Sequence, residues 1–117
     1  MNKYHQNHIS EKYSDITLVD EPMRSHSSFG IGGKAKILML PKKITEIKEV
    51  LEYSSRNKIS LFFIGSGSNL LVSDNGFDGI IISLKKTFKK LEFLDDGHII
   101  CESGVMLGRM VKEAIKR

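Results

Sequence analysis

Small polar residues follow an apolar run near the middle of the chain, in the segment FFIGSGSNLLVSDNGFDGIII (residues 62–82). Glycine permits positive φ angles and lets a ligand come close to the main chain. Successive free N–H groups in such a turn form a concavity that binds anions. The serine and asparagine side chains of residues 65–69 add donors for phosphate oxygens. The pattern indicates a phosphate-binding loop, although the same residues are typical of a turn that binds nothing.

The loop departs from two familiar phosphate-binding motifs. A Rossmann fingerprint requires a third glycine, where this chain has Leu70. A Walker A loop requires a second glycine after four intervening residues and a lysine directly after it, and neither is in place. A pyrophosphate bound here would therefore be held mainly by backbone amides and hydroxyl groups.

A second glycine cluster, SSFGIGGKA (residues 27–35), precedes the first predicted strand of the sheet. Its three glycines, Gly30, Gly32 and Gly33, are consistent with a simple turn. They are equally consistent with a segment that passes close to the same ligand or to a neighbouring strand.

Histidine and cysteine residues give weak signals of chemistry. His5 and His8 have a spacing compatible with two metal ligands, but no cysteine or carboxylate set accompanies them, so we expect no metal site. The single cysteine, Cys101, cannot form an intrachain disulfide. It lies in the apolar segment HIICES, and we expect it to be a small core residue rather than a nucleophile.

Four lysines lie close together in LKKTFKKLEF, and contribute to a formal net charge of +4. Such a run can contact nucleic-acid phosphates or attract an anionic small substrate. Few aromatic residues are interleaved, so we favour a solvated loop or strand edge and expect no nucleic-acid partner. The lysines are Lys85, Lys86, Lys89 and Lys90.

The hydrophobic pattern predicts the elements that must position the glycine loop. An amphipathic helix between two apolar strands predicts a βαβ unit, with the second strand buried and the loop at its carboxyl end. Two further segments around DDG predict a hairpin, and a last amphipathic helix follows. In order, the predicted elements are strand 36–40, helix 44–58, strands 59–65 and 79–84, hairpin strands 89–94 and 98–104, and helix 106–117.

Composition indicates an ordinary globular protein, since 40% of the 117 residues are hydrophobic and 27% are charged. We predict a mobile or loosely packed polar arm at 1–15, a first subdomain at 16–90 and the start of an incomplete second subdomain at 91–117. The last helix presents an apolar face that nothing later in the sequence covers. Neither a signal-peptide segment nor a spanning helix is expected, so the predicted location is cytoplasmic, with no membrane partner.

Three segments together resemble one enzyme family. They are DEPMRSHSSFGIGGKA, LFFIGSGSNLLVSDNGFDGIIISL and ESGVMLGRMVKEAIK, and their order and spacing are similar to those of the UDP-N-acetylenolpyruvoylglucosamine reductases, also called UDP-N-acetylmuramate dehydrogenases. The resemblance covers residue 15 to the end and matches the N-terminal part of such an enzyme. The sequence GSGSNLL is its most specific portion. Ser27 and Ser103 stand where the family often has threonine and alanine, which are also small.

The resemblance implies an α+β fold, the FAD-binding domain of the vanillyl-alcohol-oxidase or para-cresol-methylhydroxylase type. Two subdomains there clasp FAD, so 16–90 would be the first FAD-binding subdomain and 91–117 a truncated second one. The FAD-binding residues carried over are Gly65, Ser66, Gly67, Ser68, Asn69 and Leu70, whose loop approaches the pyrophosphate.

The implied reaction is the NADPH-dependent reduction of UDP-GlcNAc-enolpyruvate to UDP-N-acetylmuramate in peptidoglycan precursor synthesis. The family's catalytic arginine, glutamate and proton donor match no residue here, so we assign no catalytic residue and expect the chain alone to be inactive. Two alternatives remain open: another oxidoreductase of the same FAD-binding type, and a non-catalytic module that binds a partner through its uncovered helix face.

Overall fold

The computed structural model describes residues 1–26, 30–65 and 72–116. It contains three α-helices, six strands and a short 3₁₀ helix in these ranges. In chain order they are α1 (Lys3–Lys12), β1 (Thr17–Pro22), the 3₁₀ helix (Met23–His26), β2 (Lys34–Met39), α2 (Ile44–Arg56), β3 (Ser60–Ile64), β4 (Phe77–Ser83), β5 (Leu91–Phe93), β6 (Ile99–Cys101) and α3 (Leu107–Ile115).

A four-stranded sheet with the order β1-β2-β4-β3 forms the centre of the fold. Strands β2, β4 and β3 are parallel, and β1 is antiparallel to β2. The predicted unit of strand, helix and parallel strand is confirmed as β2-α2-β3, but β4 lies between its two strands. The carboxyl ends of the three parallel strands therefore lie at the same end of the sheet.

Apolar residues cover both faces of the sheet because β2 and β4 are apolar on both sides. One face carries Ile37, Met39, Ile80 and Ile82, which pack with Ile9 of α1 and Val50 of α2. The opposite face carries Leu38 and Ile81, which pack with Met23 and Ile64. Burial of side chains on both faces is typical of parallel sheets.

The N-terminal segment is a packed helix, so the expectation of a mobile or loosely packed arm is wrong. Asn2 caps α1 by accepting a hydrogen bond from the His5 N–H at 2.9 Å. Ile9 is 1% exposed, and the Gln6 side chain donates to the Lys36 carbonyl at 2.9 Å. These two inward positions are only three residues apart in a polar helix, too weak a pattern to reveal docking by periodicity.

Strand β3 lies at the edge of the sheet, so the prediction that it is buried is wrong. Phe62 is 51% exposed and Phe63 is 40% exposed. The central position belongs to β4, whose three isoleucines are fully buried. An uninterrupted apolar run identifies a strand but does not determine its place in the sheet. Strand β1 was not predicted, because TLVDEP combines few apolar residues with an acidic pair and a proline.

The predicted hairpin is confirmed as the antiparallel pair of β5 and β6. Cys101 is exposed in β6, so its assignment to a core is wrong: no residue of this two-stranded sheet is fully buried among those the structure describes. Helix α3 likewise buries none of its described side chains, and Leu107 is 63% exposed. No helix within the described ranges is long and apolar enough to cross a membrane.

Candidate functional site

The predicted phosphate loop begins at the carboxyl end of β3. Gly65 is the first of its residues and follows Ile64, the last residue of the strand. The other five predicted ligand-binding residues, Ser66, Gly67, Ser68, Asn69 and Leu70, lie outside the described residues. Open α/β sheets bind ligands at the carboxyl ends of parallel strands, and Gly65 occupies such a position.

Two hydrogen bonds from the end of β4 hold the chain at this point. The Ser83 hydroxyl donates to the Gly65 carbonyl at 3.3 Å, and the Leu84 N–H donates to the Ile64 carbonyl at 2.9 Å. The carbonyls of two successive residues are thereby fixed where the chain leaves the sheet. Sequence reasoning missed Ser83, whose signal is a lone hydroxyl at the end of the apolar strand GIIIS.

A backbone segment from the turn between β6 and α3 packs against Gly65. A Cβ atom placed on Gly65 would lie 2.3 Å from the Ser103 carbonyl oxygen. Gly104, the next residue, donates its N–H to the Phe88 carbonyl at 2.7 Å, and its own Cβ position lies 2.3 Å from the Leu84 carbonyl oxygen. Two of the sequence segments that carried the resemblance therefore meet at Gly65, in contacts that only glycine permits.

Gly33, from the second glycine cluster, packs at the opposite end of the sheet, where the parallel strands begin. The Gly33 N–H donates to the Ser73 carbonyl at 3.0 Å, and the Gly33 carbonyl accepts from the Met23 N–H at 3.0 Å. A Cβ atom on Gly33 would lie 2.5 Å from the Gly76 nitrogen. Described residues of the cluster therefore pass close to residues 73–76, which lead into β4, rather than to Gly65.

A pocket of about 480 Å³ lies beside this glycine cluster, at the amino ends of β2 and β4. Its charges are mixed, because Arg24, Lys34 and Lys36 line it together with three aspartates. One of these, Asp78, accepts a hydrogen bond from the N-terminal ammonium group of Met1 at 2.6 Å. That hydrogen bond, and then the ammonium charge, lowers the pKa of Asp78. The pocket is separated from Gly65 by the length of β4, about 20 Å at 3.3 Å per residue.

The histidines of α1 contact α2 instead of forming a ligand set. His5 Nδ1 lies 2.6 Å from the Tyr53 hydroxyl, and the His8 ring stacks on the Tyr53 ring with centroids 4.9 Å apart. Across residues 1–26, 30–65 and 72–116, no group of three or more histidine, cysteine or acidic residues has the geometry to hold a metal ion.

Part of the lysine cluster lies at the same end of the sheet as Gly65. Lys85 and Lys86 are exposed in the turn that follows β4, next to the strand end that holds Gly65. Lys90 is instead paired with Glu92 at 2.9 Å, and its pKa is raised by that hydrogen bond and then by the Glu92 charge. Two exposed cations thus adjoin the start of the loop.

Comparison with known proteins decides what kind of domain carries this arrangement. Residues 35–117 match the family model described as "FAD binding domain". The chain belongs to this FAD-binding domain family. The prediction of an α+β FAD-binding fold is confirmed by this match and by the mixed sheet. The boundaries predicted between an arm and two subdomains stay predictions.

Curated relatives extend the match to almost the whole chain. It is 39% identical to the UDP-N-acetylenolpyruvoylglucosamine reductase of Alkaliphilus oremlandii over 85% of its length. It is 36% identical to that of Carboxydothermus hydrogenoformans over 92%, and 38% identical to that of Clostridium botulinum over 99%. These alignments cover 32%, 35% and 38% of the respective relatives. The resemblance stated from the sequence is confirmed, and the chain spans about a third of the length of the relatives it matches.

Of the six residues predicted to bind FAD, the structure describes Gly65, and its surroundings are compatible with an anionic group. Gly65 lies at the carboxyl end of a parallel strand, and no carboxylate occurs within Ser60–Gly65 to repel phosphate. Lys85 and Lys86 place positive charge at the same end of the sheet, where it favours the binding of an anion. FAD, when bound, supplies the hydride chemistry of such enzymes, and the protein supplies binding and orientation.

Proposed function

We propose that this chain is the FAD-binding part of a reductase that converts UDP-GlcNAc-enolpyruvate to UDP-N-acetylmuramate, with NADPH as the hydride donor. The observation that carries the proposal is the match of residues 35–117 to the FAD-binding domain family, with reductases of this name as relatives over most of the chain. Those names favour this reaction over other oxidoreductases with the same type of FAD-binding domain.

In this proposal, Gly65–Leu70 hold the FAD pyrophosphate through backbone N–H groups and through the side chains of two serines and Asn69. The position of Gly65 at the carboxyl end of β3 supports the assignment, as do the two exposed lysines nearby. A loop without a P-loop lysine depends on such amides for most of its affinity. The role of the chain is therefore to bind and orient the cofactor.

The groups that polarise the substrate and donate a proton are proposed to belong to the two thirds of the relatives that this chain does not match. The chain alone is then expected to be catalytically inactive. The product is a peptidoglycan precursor, so we infer a role in cell-wall synthesis, and through it in cell shape and division, in the cytoplasm.

The proposal is tested by restoring the unmatched part. We define the chimera as residues 1–117 followed by the portion of the Clostridium botulinum reductase that the chain does not match. The chimera should be yellow, contain one FAD per polypeptide, and oxidise NADPH only when UDP-GlcNAc-enolpyruvate is added. Residues 1–117 alone should oxidise no NADPH under the same conditions.

The control is the same relative in its natural form, assayed in parallel. A folded chimera that contains FAD but consumes oxygen in place of the enolpyruvyl nucleotide would favour another flavin oxidoreductase. A folded chimera without flavin, at FAD concentrations that saturate the control, would refute the proposed function.

A further inference from the structure

We propose that Ser83 is a positioning residue for the flavin loop: its buried hydroxyl fixes the Gly65 carbonyl and thereby sets the direction in which the loop leaves β3. The inference rests on the proposed function, because it concerns the same loop. It adds a residue that lies on another strand, outside the loop and outside the FAD-binding residues predicted from the sequence.

The burial of Ser83 is the first observation. The side chain ends the strand GIIIS, whose three isoleucines are fully buried, and Ser83 itself is 3% exposed. A buried hydroxyl without a partner destabilises a protein, so nearly all such groups are hydrogen-bonded. The Ser83 hydroxyl donates to the Gly65 carbonyl, which can only accept.

The arrangement around Gly65 is the second observation. Ser83 pairs with Ile64 in the parallel register, and the next residue, Leu84, donates its N–H to the Ile64 carbonyl. On the other side, the Ser103 carbonyl fills the space where a Gly65 side chain would lie. Gly65, the first residue of the loop, is thus held by a side chain of β4 and by backbone from the turn after β6.

The expected consequence of removing the hydroxyl is weaker binding of the cofactor. A hydrogen bond in a protein contributes a net 0.5–1.5 kcal/mol, and the 3.3 Å donor–acceptor distance is long for a hydroxyl donor. We therefore expect loss of the hydroxyl to weaken FAD binding about two- to fivefold.

The test uses four variants of the 117-residue chain. Ser83→Ala and Ser83→Cys remove the hydroxyl, and Cys keeps nearly the same volume with only a weak donor. Ser83→Thr retains a hydroxyl and should rescue binding. Ser54→Ala is the matched control, because Ser54 is 4% exposed and its hydroxyl has no hydrogen-bond partner in the described structure.

Two measurements on the ¹⁵N-labelled chain decide whether Ser83 positions the loop. FAD titration should give dissociation constants two- to fivefold higher for Ser83→Ala and Ser83→Cys than for wild type, Ser83→Thr and Ser54→Ala. Without FAD, hydrogen exchange of the Leu84 amide should be faster by a similar factor in the first two variants, while exchange of the core amide of Ile81 should be unchanged.

The outcomes separate this inference from the proposed function. Equal FAD affinity and equal Leu84 exchange in wild type and Ser83→Ala would overturn the role of Ser83, even if the chain binds FAD well. An equal loss in Ser54→Ala would also overturn it, because any buried hydroxyl would then have the same effect. If neither the wild-type chain nor the chimera binds FAD, the proposed function loses its support, and the Leu84 exchange rates still decide whether Ser83 fixes the strand end.

Discussion

Substitution of Gly65 by alanine tests the contact between the first residue of the loop and the turn that follows β6. The new Cβ atom would lie 2.3 Å from the Ser103 carbonyl oxygen, short of ordinary contact at 3.4 Å by about 1.1 Å. Ser103 cannot retreat freely, because its neighbour Gly104 is hydrogen-bonded to the Phe88 carbonyl. Forced overpacking of this kind costs about 1–3 kcal/mol, and we expect the free energy of unfolding to fall by that amount.

The matched control is Gly108→Ala. Gly108 lies in α3, and nothing is within 4 Å of the position of an added Cβ atom. Because alanine is the better helix former, this change should raise the free energy of unfolding by about 0.5–1 kcal/mol. The same added methyl group should therefore lower the free energy of unfolding at Gly65 and raise it at Gly108.

Urea unfolding followed by circular dichroism measures both free energies, and hydrogen exchange of the Gly104 amide reports the local contact. In Gly65→Ala we expect a lower urea midpoint and loss of protection at Gly104. A Gly65→Ala variant within 0.5 kcal/mol of wild type, with the Gly104 amide still protected, would show that Ser103 does not pack against the start of the loop.

Three further predictions concern the rest of the molecule. Ile9→Ala should lower the free energy of unfolding by about 2–4 kcal/mol, since α1 contributes to the core; a change below 0.5 kcal/mol in urea unfolding would mean that the helix is not docked. The lowered pKa of Asp78 predicts that its ion pair stabilises the fold above pH about 3.9 and that this contribution disappears as the pH falls through the lower folded pKa. The gap in stability between wild type and Asp78→Asn should close in acid, and a gap independent of pH from 6 to 2 would refute the pair. Cys101 should react fully with Ellman's reagent in the native chain, because it is exposed; protection until urea is added would contradict that exposure.

Local sequence patterns predicted most elements because each pattern reflects a local property. The amphipathic spacing of 44–58 gave α2, and the DDG turn gave the hairpin of β5 and β6. The place of each strand in the sheet depends on partners distant in sequence, which no local pattern records. The apolar run of β3 therefore predicted a buried strand, whereas β3 lies at the edge of the sheet and β4 is buried between β2 and β3.

Some residues of the site could be predicted from the sequence and others could not. Gly65 could be predicted from its neighbours in sequence, because glycine, serine and asparagine after an apolar run indicate a turn or a phosphate-binding loop. Ser83 could not be predicted in this way, because its proposed role depends on the parallel pairing of β3 and β4, which places it beside Ile64. The docking of α1 was missed for the same reason: the contacts of Gln6 and Ile9 with the sheet are tertiary, and the helix itself is mostly polar.

The flavin content of the chimera with and without Gly67→Val tests the central claim most directly. Gly67 lies within the loop proposed to hold the FAD pyrophosphate, and a valine there would bring a branched side chain to the main chain that the phosphates approach. We predict that the chimera is purified with one FAD per polypeptide, and that the variant retains its circular dichroism spectrum but carries no flavin. Equal flavin content in the two proteins would contradict the account, because residues 65–70 would then be only a turn.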